Sequence, residues 1–205
     1  MAMIMIEESP KQVATRFCKK TIIKPQVKSN ISLLKNIKRY DYSDSGMYIF
    51  KSDRLYLAIS AGPNGQNGNG GHAHNDKLSF ELCIDGEDVT KDPGTYLYTP
   101  LPEMRNQFRS IRAHNTLIVE RKEQNDWRQG RGGLFNMKNQ CHVKIRDLKS
   151  NSVEIELKYK KVRQLRLFEI LDDMIIINDH SKVKFAVSPY GPGFYSNGYG
   201  KLLCS

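Results

Sequence analysis

The sequence predicts an all-β protein of stacked antiparallel sheets, a β-sandwich of the large, supersandwich-like kind. Three observations carry that expectation. From residue 141 onward CHVKIRDL, SVEIELKYK, VRQLRLFEIL, MIIIND and KVKFAVS follow one another as short strand-like segments. Turn residues such as Lys149-Ser150-Asn151 and Asp172-Asp173 separate them, the rhythm of antiparallel all-β architecture. Upstream, MYIFKS and RLYLAIS flank a Ser-Asp turn and read as a hairpin. Between these regions Leu78, Phe80, Leu82 and Ile84 recur at every second position, the period of a half-buried strand.

The remaining elements follow in chain order. Ser9-Pro10 before KQVATRFCKK supplies an N-cap residue, a proline at the first helical position and a basic end, which predicts a short helix. Residues 21–45 are polar and lysine-rich with weak periodicity, as in a linker or loosely packed lead-in. The expected division is therefore a lead-in of helix and linker over 1–45 and a sandwich domain over 46–205. AGPNGQNGNGG, after the hairpin, is a flexible loop whose residues permit positive φ. It matches neither GxxxxGK[ST] nor a strand-to-helix GxGxxG, so no nucleotide site is expected. HNTLIVE is another strand, and EQNDWRQGRGG is a polar turn leading into LFNM. SPYGPGFYSNGYGKLLCS closes the chain without a final strand pattern, as a truncated end would.

A chain of 205 residues is long enough for one domain with a proper core and a short appendage. No run approaches the roughly 18 apolar residues of a membrane span, so no membrane partner is expected. Met1 to Ile6, followed by Glu7 and Glu8, lacks the basic start and apolar length of a secretory signal. The expected location is the cytoplasm as the chain stands, or the periplasm if a leader has been lost. Cys18, Cys83, Cys141 and Cys204 show no CxxC spacing, which argues against a zinc ribbon or a redox pair and for buried or incidental thiols. A net charge of +10 attracts polyanions, whether nucleic acids or acidic polysaccharides. No RNP-like aromatic motif, helix-turn-helix or basic helix supports nucleic acid.

The chemistry concentrates between Gly70 and Thr116, which hold three of the five histidines. His72, His74 and Asp76 are spaced to share one face at the exposed start of a strand, capping a core face at its mouth. Two imidazoles and a carboxylate, His74, Asp92 and His114, suit zinc and leave one position for water. The alternative is a hydrogen-bonded His-Asp-His cluster. His72 is a catalytic candidate, since an imidazole titrates near neutral pH; its alternative role is to orient His74. Tyr96 and Tyr98, after the Asp92-Pro93-Gly94 turn, are acid-base candidates or packing residues. Arg105, Arg109 and Arg112 offer planar forks that fit carboxylate or sulfate, and with Asn75 they are the candidate substrate contacts.

GGHAHNDKLSFEL, DPGTYLY and RNQFRSIRAHNTLIVE, followed by RLFEILDDMIIIND, resemble in order the C-terminal β-sandwich domain of the heparinase II/III-like polysaccharide lyases, over Tyr42 to Asp179. The resemblance implies an incomplete α/α toroid preceding stacked antiparallel sheets, with a cleft between the two. In the family the toroid supplies an asparagine or similar carboxylate binder and a catalytic tyrosine, neither of which is located here. It also implies that His74, from HxH, Asp92, from DPG, and His114, from HNT, bind a zinc ion that supports the architecture beside the cleft. The implied reaction is β-elimination at a uronic acid of an acidic polysaccharide such as heparin or heparan sulfate, alginate or an exopolysaccharide. No water is consumed, unlike hydrolysis by paired carboxylates, and Asp76, Asp85, Asp92 and Glu103 offer no convincing pair for that reaction. The alternative reading is a non-catalytic module that binds acidic polysaccharide, or a lyase domain inactive without its toroid.

Overall fold

The computed structural model describes residues 2–8, 17–26, 29–65, 68–120, 122–187 and 194–204. The first strands are β1 (Met3–Glu8), β2 (Phe17–Lys24), β3 (Lys38–Tyr42), β4 (Met47–Lys51), β5 (Leu55–Ser60), β6 (Phe80–Ile84) and β7 (Glu87–Thr90). A helix, α1 (Pro102–Arg109), and β8 (Leu117–Val119) follow. The chain continues through β9 (Cys141–Leu148), β10 (Ser152–Tyr159), β11 (Val162–Ile170), β12 (Ile175–Ser181), β13 (Phe185–Val187), β14 (Phe194–Gly198) and β15 (Lys201–Cys204).

Two antiparallel sheets face one another. One has six strands in the order β1-β2-β12-β11-β10-β9, the other five in the order β3-β4-β5-β6-β7. Alternation decides which side chains meet between them: Ile23, Ile155, Phe168, Ile175 and Ile177 project from the six-stranded sheet and Phe50, Leu57, Ile59, Leu82 and Ile84 from the other, all buried. Phe80 and Phe168 cross the interface edge to face, with centroids 5.4 Å apart. The all-β sandwich predicted from sequence is the observed fold.

Three expectations require correction. The helix expected after Ser9 falls partly on residues 9–16, outside the described residues, but its remainder, Phe17 to Lys20, is the start of β2. That strand lies between β1 and β12, with Ile23 opposite Ile175, because Thr21, Ile22 and Ile23 fill a core strand rather than a helix face. Residues 29–37 are tied in as well: Leu33 is buried and its N–H donates to Asp172 O at 2.8 Å. Ile23 and Leu33 of the expected lead-in thus belong to the same core as the sandwich strands. The C-terminal stretch, expected to lack a strand, forms the β14–β15 hairpin. Finally, α1 was not anticipated, although Pro102 and Glu103 in its first turn and Arg109 in its last suit a helix. Among the described residues no helix is long and apolar enough to cross a membrane.

Candidate active site

The strand expected to start at His72 begins only at Phe80. Leu78 breaks it: with φ of 68° its backbone is left-handed, so His72, His74 and Asp76 lie on an irregular segment and share no strand face. A bulky residue in that region persists only where its surroundings fix it. Leu78 N–H donates to Ser60 O at 2.7 Å, and its carbonyl accepts from Arg166 Nη1 at 2.7 Å. Arg166 also donates to Asn115 O at 2.8 Å and pairs with Asp179 through Nε and Nη2 at 2.6 and 2.9 Å, both partners fully buried. Gln124 clasps the Lys77 peptide, accepting from its N–H at 3.0 Å and donating to its carbonyl at 2.9 Å. Asn115 does the same for Phe80, at 2.8 and 2.7 Å. The site floor is irregular backbone held by buried polar side chains.

On that floor two of the predicted ligand residues, His114 and Asp92, pair directly, and the third, His74, lies near His114. His114 is buried and its Nδ1 donates to Asp92 Oδ2 at 2.9 Å, while Asp92 Oδ1 accepts from Gly94 N–H at 2.8 Å. Gly94 has φ of 77°, and a Cβ there would stand 2.5 Å from Ser196 O, so the turn admits only glycine. His74 lies 5.4 Å from His114 between ring centroids. Burial, then the neighbouring His114, pushes His74 down to about 4, leaving a neutral imidazole at neutral pH. For His114, burial is overcome by the Asp92 hydrogen bond and charge, and its pKa is raised. Asp76 is held below the usual carboxylate range: burial opposes this, but Lys77, whose Nζ is 2.9 Å away, and His114 prevail. Asp76, Asp92 and His114 line a cavity of about 210 Å³.

Among the described residues no three His, Cys, Asp or Glu side chains converge as placed on a point that would hold a metal. The donor chemistry nevertheless fits one. His114 Nε2 is buried without a hydrogen-bond partner among the described residues, the neutral His74 ring lies 5.4 Å from the His114 ring between centroids, and Asp92 holds the other ring nitrogen, Nδ1.

The catalytic candidates divide. His72 is exposed and meets Tyr98 edge to face at 5.5 Å, so these two are brought together. Tyr96, with φ of 62°, packs its ring against Phe108 at 5.4 Å, which is the packing alternative. The candidate substrate contacts divide as well. Asn75 is buried, and both ends of its amide are engaged: Nδ2 donates to Glu123 Oε2 at 2.6 Å and Asn125 O at 3.0 Å, and Oδ1 accepts from Asn125 N–H at 2.9 Å. It joins two loops and has no free face for a sugar. Arg105 and Arg109, buried on the inward side of α1, donate to the carbonyls of Leu134, Gly133 and Gly71. Only Arg112 is exposed. Sequence reasoning missed Gln124, Glu123 and Arg166. A polar residue at an inward position of an alternating strand, as in VRQLRLFEI, was the available signal for Arg166.

The fold is a domain of stacked antiparallel β-sheets, with His72 and His74 on the segment joining β5 to β6 and His114 shortly before β8. Residues 36–185 match the family described as Heparinase II/III-like, C-terminal, and the chain belongs to that family. A heparin-sulfate lyase of Pedobacter heparinus is 30% identical over 102 residues, which cover 43% of this chain and 15% of that protein. A solved heparinase III, the BT4657 gene product with methylated lysines, superposes with a TM-score of 0.57 at 18% identity, covering 80% of this chain and 31% of that one. A second structure of the same product gives 0.53 at 21% identity, covering 75% and 23%. The chain thus spans less than a third of the length of each of these relatives.

Proposed function

We propose that this chain is the β-sandwich part of a lyase that cleaves a uronic-acid-containing, anionic polysaccharide by β-elimination, with heparan sulfate the first substrate to try. The observation that carries the reading is the pairing of two proton carriers, His72 and Tyr98, on a floor where His74, His114 and Asp92 are already gathered. In the reaction a base takes the C5 proton, the C4–O4 bond breaks, a C4=C5 double bond forms and an acid protonates the departing O4. His72 and Tyr98 are the base and acid this chain offers. The charge that develops at C5 spreads into the C6 carboxylate, which must be neutralised by aimed donors. Those donors are proposed to come from an α/α toroid, in the same protein or as a separate partner.

Zinc belongs to the same proposal, with His74, Asp92 and His114 as its ligands. Neutral His74 and the unpartnered His114 Nε2 support that set. When bound, the ion would tie the histidine loop, the Asp92 turn and the start of β8 together and add positive charge beside the cleft.

The test follows the short-wavelength ultraviolet absorbance of the unsaturated uronate when the full chain, alone and with a helical toroid supplied, meets heparan sulfate, alginate and other acidic glycans. Chromophore that disappears in His72→Ala, with the melting temperature unchanged, is the expected result. Retention of the polymer on a column with no chromophore under either condition would establish the binding module instead.

A further inference from the structure

We propose that Tyr98, Phe135 and Tyr199, with His72 at their edge, form a platform on which one pyranose ring of the acidic glycan stacks. This rests on the lyase reading above and assigns the site a substrate contact made by shape rather than charge.

The rings come from separate parts of the chain. Tyr98 follows the Asp92 turn, Phe135 lies in the loop after Gly133, and Tyr199 occupies the β14–β15 turn. Tyr98 and Tyr199 are stacked, with centroids 5.9 Å apart at 27°, and Tyr98 and Phe135 lie 5.7 Å apart at 33°. His72 meets Phe135 at 5.7 Å, as it meets Tyr98. This cluster is not closed over: Phe135 is 39% and Tyr199 61% exposed. Tyr98 is itself covered by the Tyr199 ring and the Arg105 guanidinium, so the surface on offer is that of Phe135 and Tyr199, and gathered rings left this exposed mark a binding surface rather than a core. The apolar C–H face of a pyranose is the complementary ligand, and the rings adjoin the proton carriers that would act on it.

The platform is also held in place. Gly200 N–H donates to Tyr96 O at 2.9 Å and Ser196 N–H to Pro93 O at 2.8 Å, fixing the hairpin that carries Tyr199. Lys91 Nζ sits 3.8 Å over the Tyr195 ring and adds a third tie. Behind the rings lies the Arg105 guanidinium, 4.7 Å from the Tyr98 centroid and 5.3 Å from that of Phe135. Arg105 is 1% exposed, and its Nη1 has no partner among the described residues. A fixed buried cation at that place favours a sugar bearing carboxylate or sulfate over a neutral one without forming an ion pair to it.

The experiment is calorimetric titration of the full chain with a size-defined heparan sulfate oligosaccharide at low and raised salt, using wild type, Tyr199→Ala, Phe135→Ala and Tyr199→Phe. Both positions are exposed, so circular dichroism and melting are expected to be unchanged. The expected result is binding weakened about two- to tenfold by either alanine and restored by Tyr199→Phe. The ratio between wild type and variant should persist at raised salt, because stacking is not screened as charge is. Wild-type binding that neither alanine weakens would overturn the platform and leave the lyase reading standing. Failure of the wild type to bind any acidic oligosaccharide would overturn both.

Discussion

The interior between the sheets and the floor of the site are built by opposite means. Between the sheets, the apolar residues among the buried alternate positions of β11 and β12, Val162, Phe168, Ile170, Ile175 and Ile177, meet those of β5 and β6, and the backbone groups are satisfied by ladder partners on the neighbouring strands. On the floor, residues 70–79 and the segment after His114 have few ladder partners, and side chains satisfy their peptides: Gln124 for Lys77, Asn115 for Phe80, Arg166 for Leu78 and Asn115. The first region tolerates a change of shape better than a change of polarity. The second depends on a few buried polar side chains, which serve the Lys77 and Phe80 carbonyls in pairs, Gln124 with Thr116 and Asn115 with Thr90, and whose loss leaves buried peptide groups short of partners. This arrangement leaves the histidine loop free of strand geometry, so that His74 can approach His114 while His72 points to solvent beside Tyr98.

The largest expected effect breaks that comparison most directly. Arg166→Met removes four hydrogen bonds and strands Asp179 as a buried, unpaired carboxylate. The expected loss is about 3–5 kcal/mol of unfolding free energy. Ile177→Val, one strand away in the apolar interior, is expected to cost about 0.5–1.5 kcal/mol. Denaturant unfolding monitored by circular dichroism checks both. Equal losses would show that the floor is no more dependent on buried polar side chains than the interior.

The interior was legible in the sequence because burial on one face imposes a period of two, and the strands from Cys141 to Val187 display it. The same rule misled at His72: Leu78, Phe80, Leu82 and Ile84 keep the period, yet Leu78 turns left-handed and ends the strand before the histidines. Nothing local marks that turn. It is imposed by Ser60 and Arg166, 18 and 88 residues away in sequence. That His114 lies close to both Asp92 and His74 was legible because the three stand in a recognisable order of motifs. The function of Asn75 was not, since its partners lie at Glu123 and Asn125, in a turn that carried no signal beyond polarity.

A smaller effect sharpens the comparison by placing the same chemistry on the outside. Glu156 on β10 is engaged by Arg146, Arg163 and Lys158. Burial alone would raise its pKa, but the hydrogen bonds from Arg146, Arg163 and Lys158 lower it to about 2. A depressed carboxylate binds fewer protons folded than unfolded, so its stabilisation is full above the unfolded value near 4.5 and fades as pH falls toward about 2. Its partners are about a third to a half exposed, so solvent screening limits the contribution to about 1–2 kcal/mol. Glu156→Gln should therefore be less stable than wild type at neutral pH, with the gap closing over that acid window in chemical unfolding. A gap independent of pH would assign the loss to packing.

The smallest effect on folding is expected at Arg112, one of three arginines that are alike in sequence. Arg105 and Arg109 are used inward, holding carbonyls of the 133–134 segment, and Arg109 also lies 4.4 Å over the Trp127 ring. Arg112 stands exposed beside a groove lined by Asn106, Ser110, Glu123 and Trp127. Glu123 is already occupied by Asn75, Ser110 and the Ile111 N–H, which leaves the Arg112 charge available to an anionic polymer. Arg109→Ala is expected to lower stability by about 1–3 kcal/mol, because the Gly133 carbonyl loses its side-chain donor and the Leu134 carbonyl keeps only Arg105. Arg112→Ala should leave stability within about 0.5 kcal/mol of wild type. It should weaken retention on immobilised heparan sulfate by about 0.2–1 kcal/mol, up to about fivefold, with the difference vanishing at high salt. Unchanged retention would mean that the excess positive charge attracts the polymer diffusely, and that none of the three arginines on this stretch is a substrate contact.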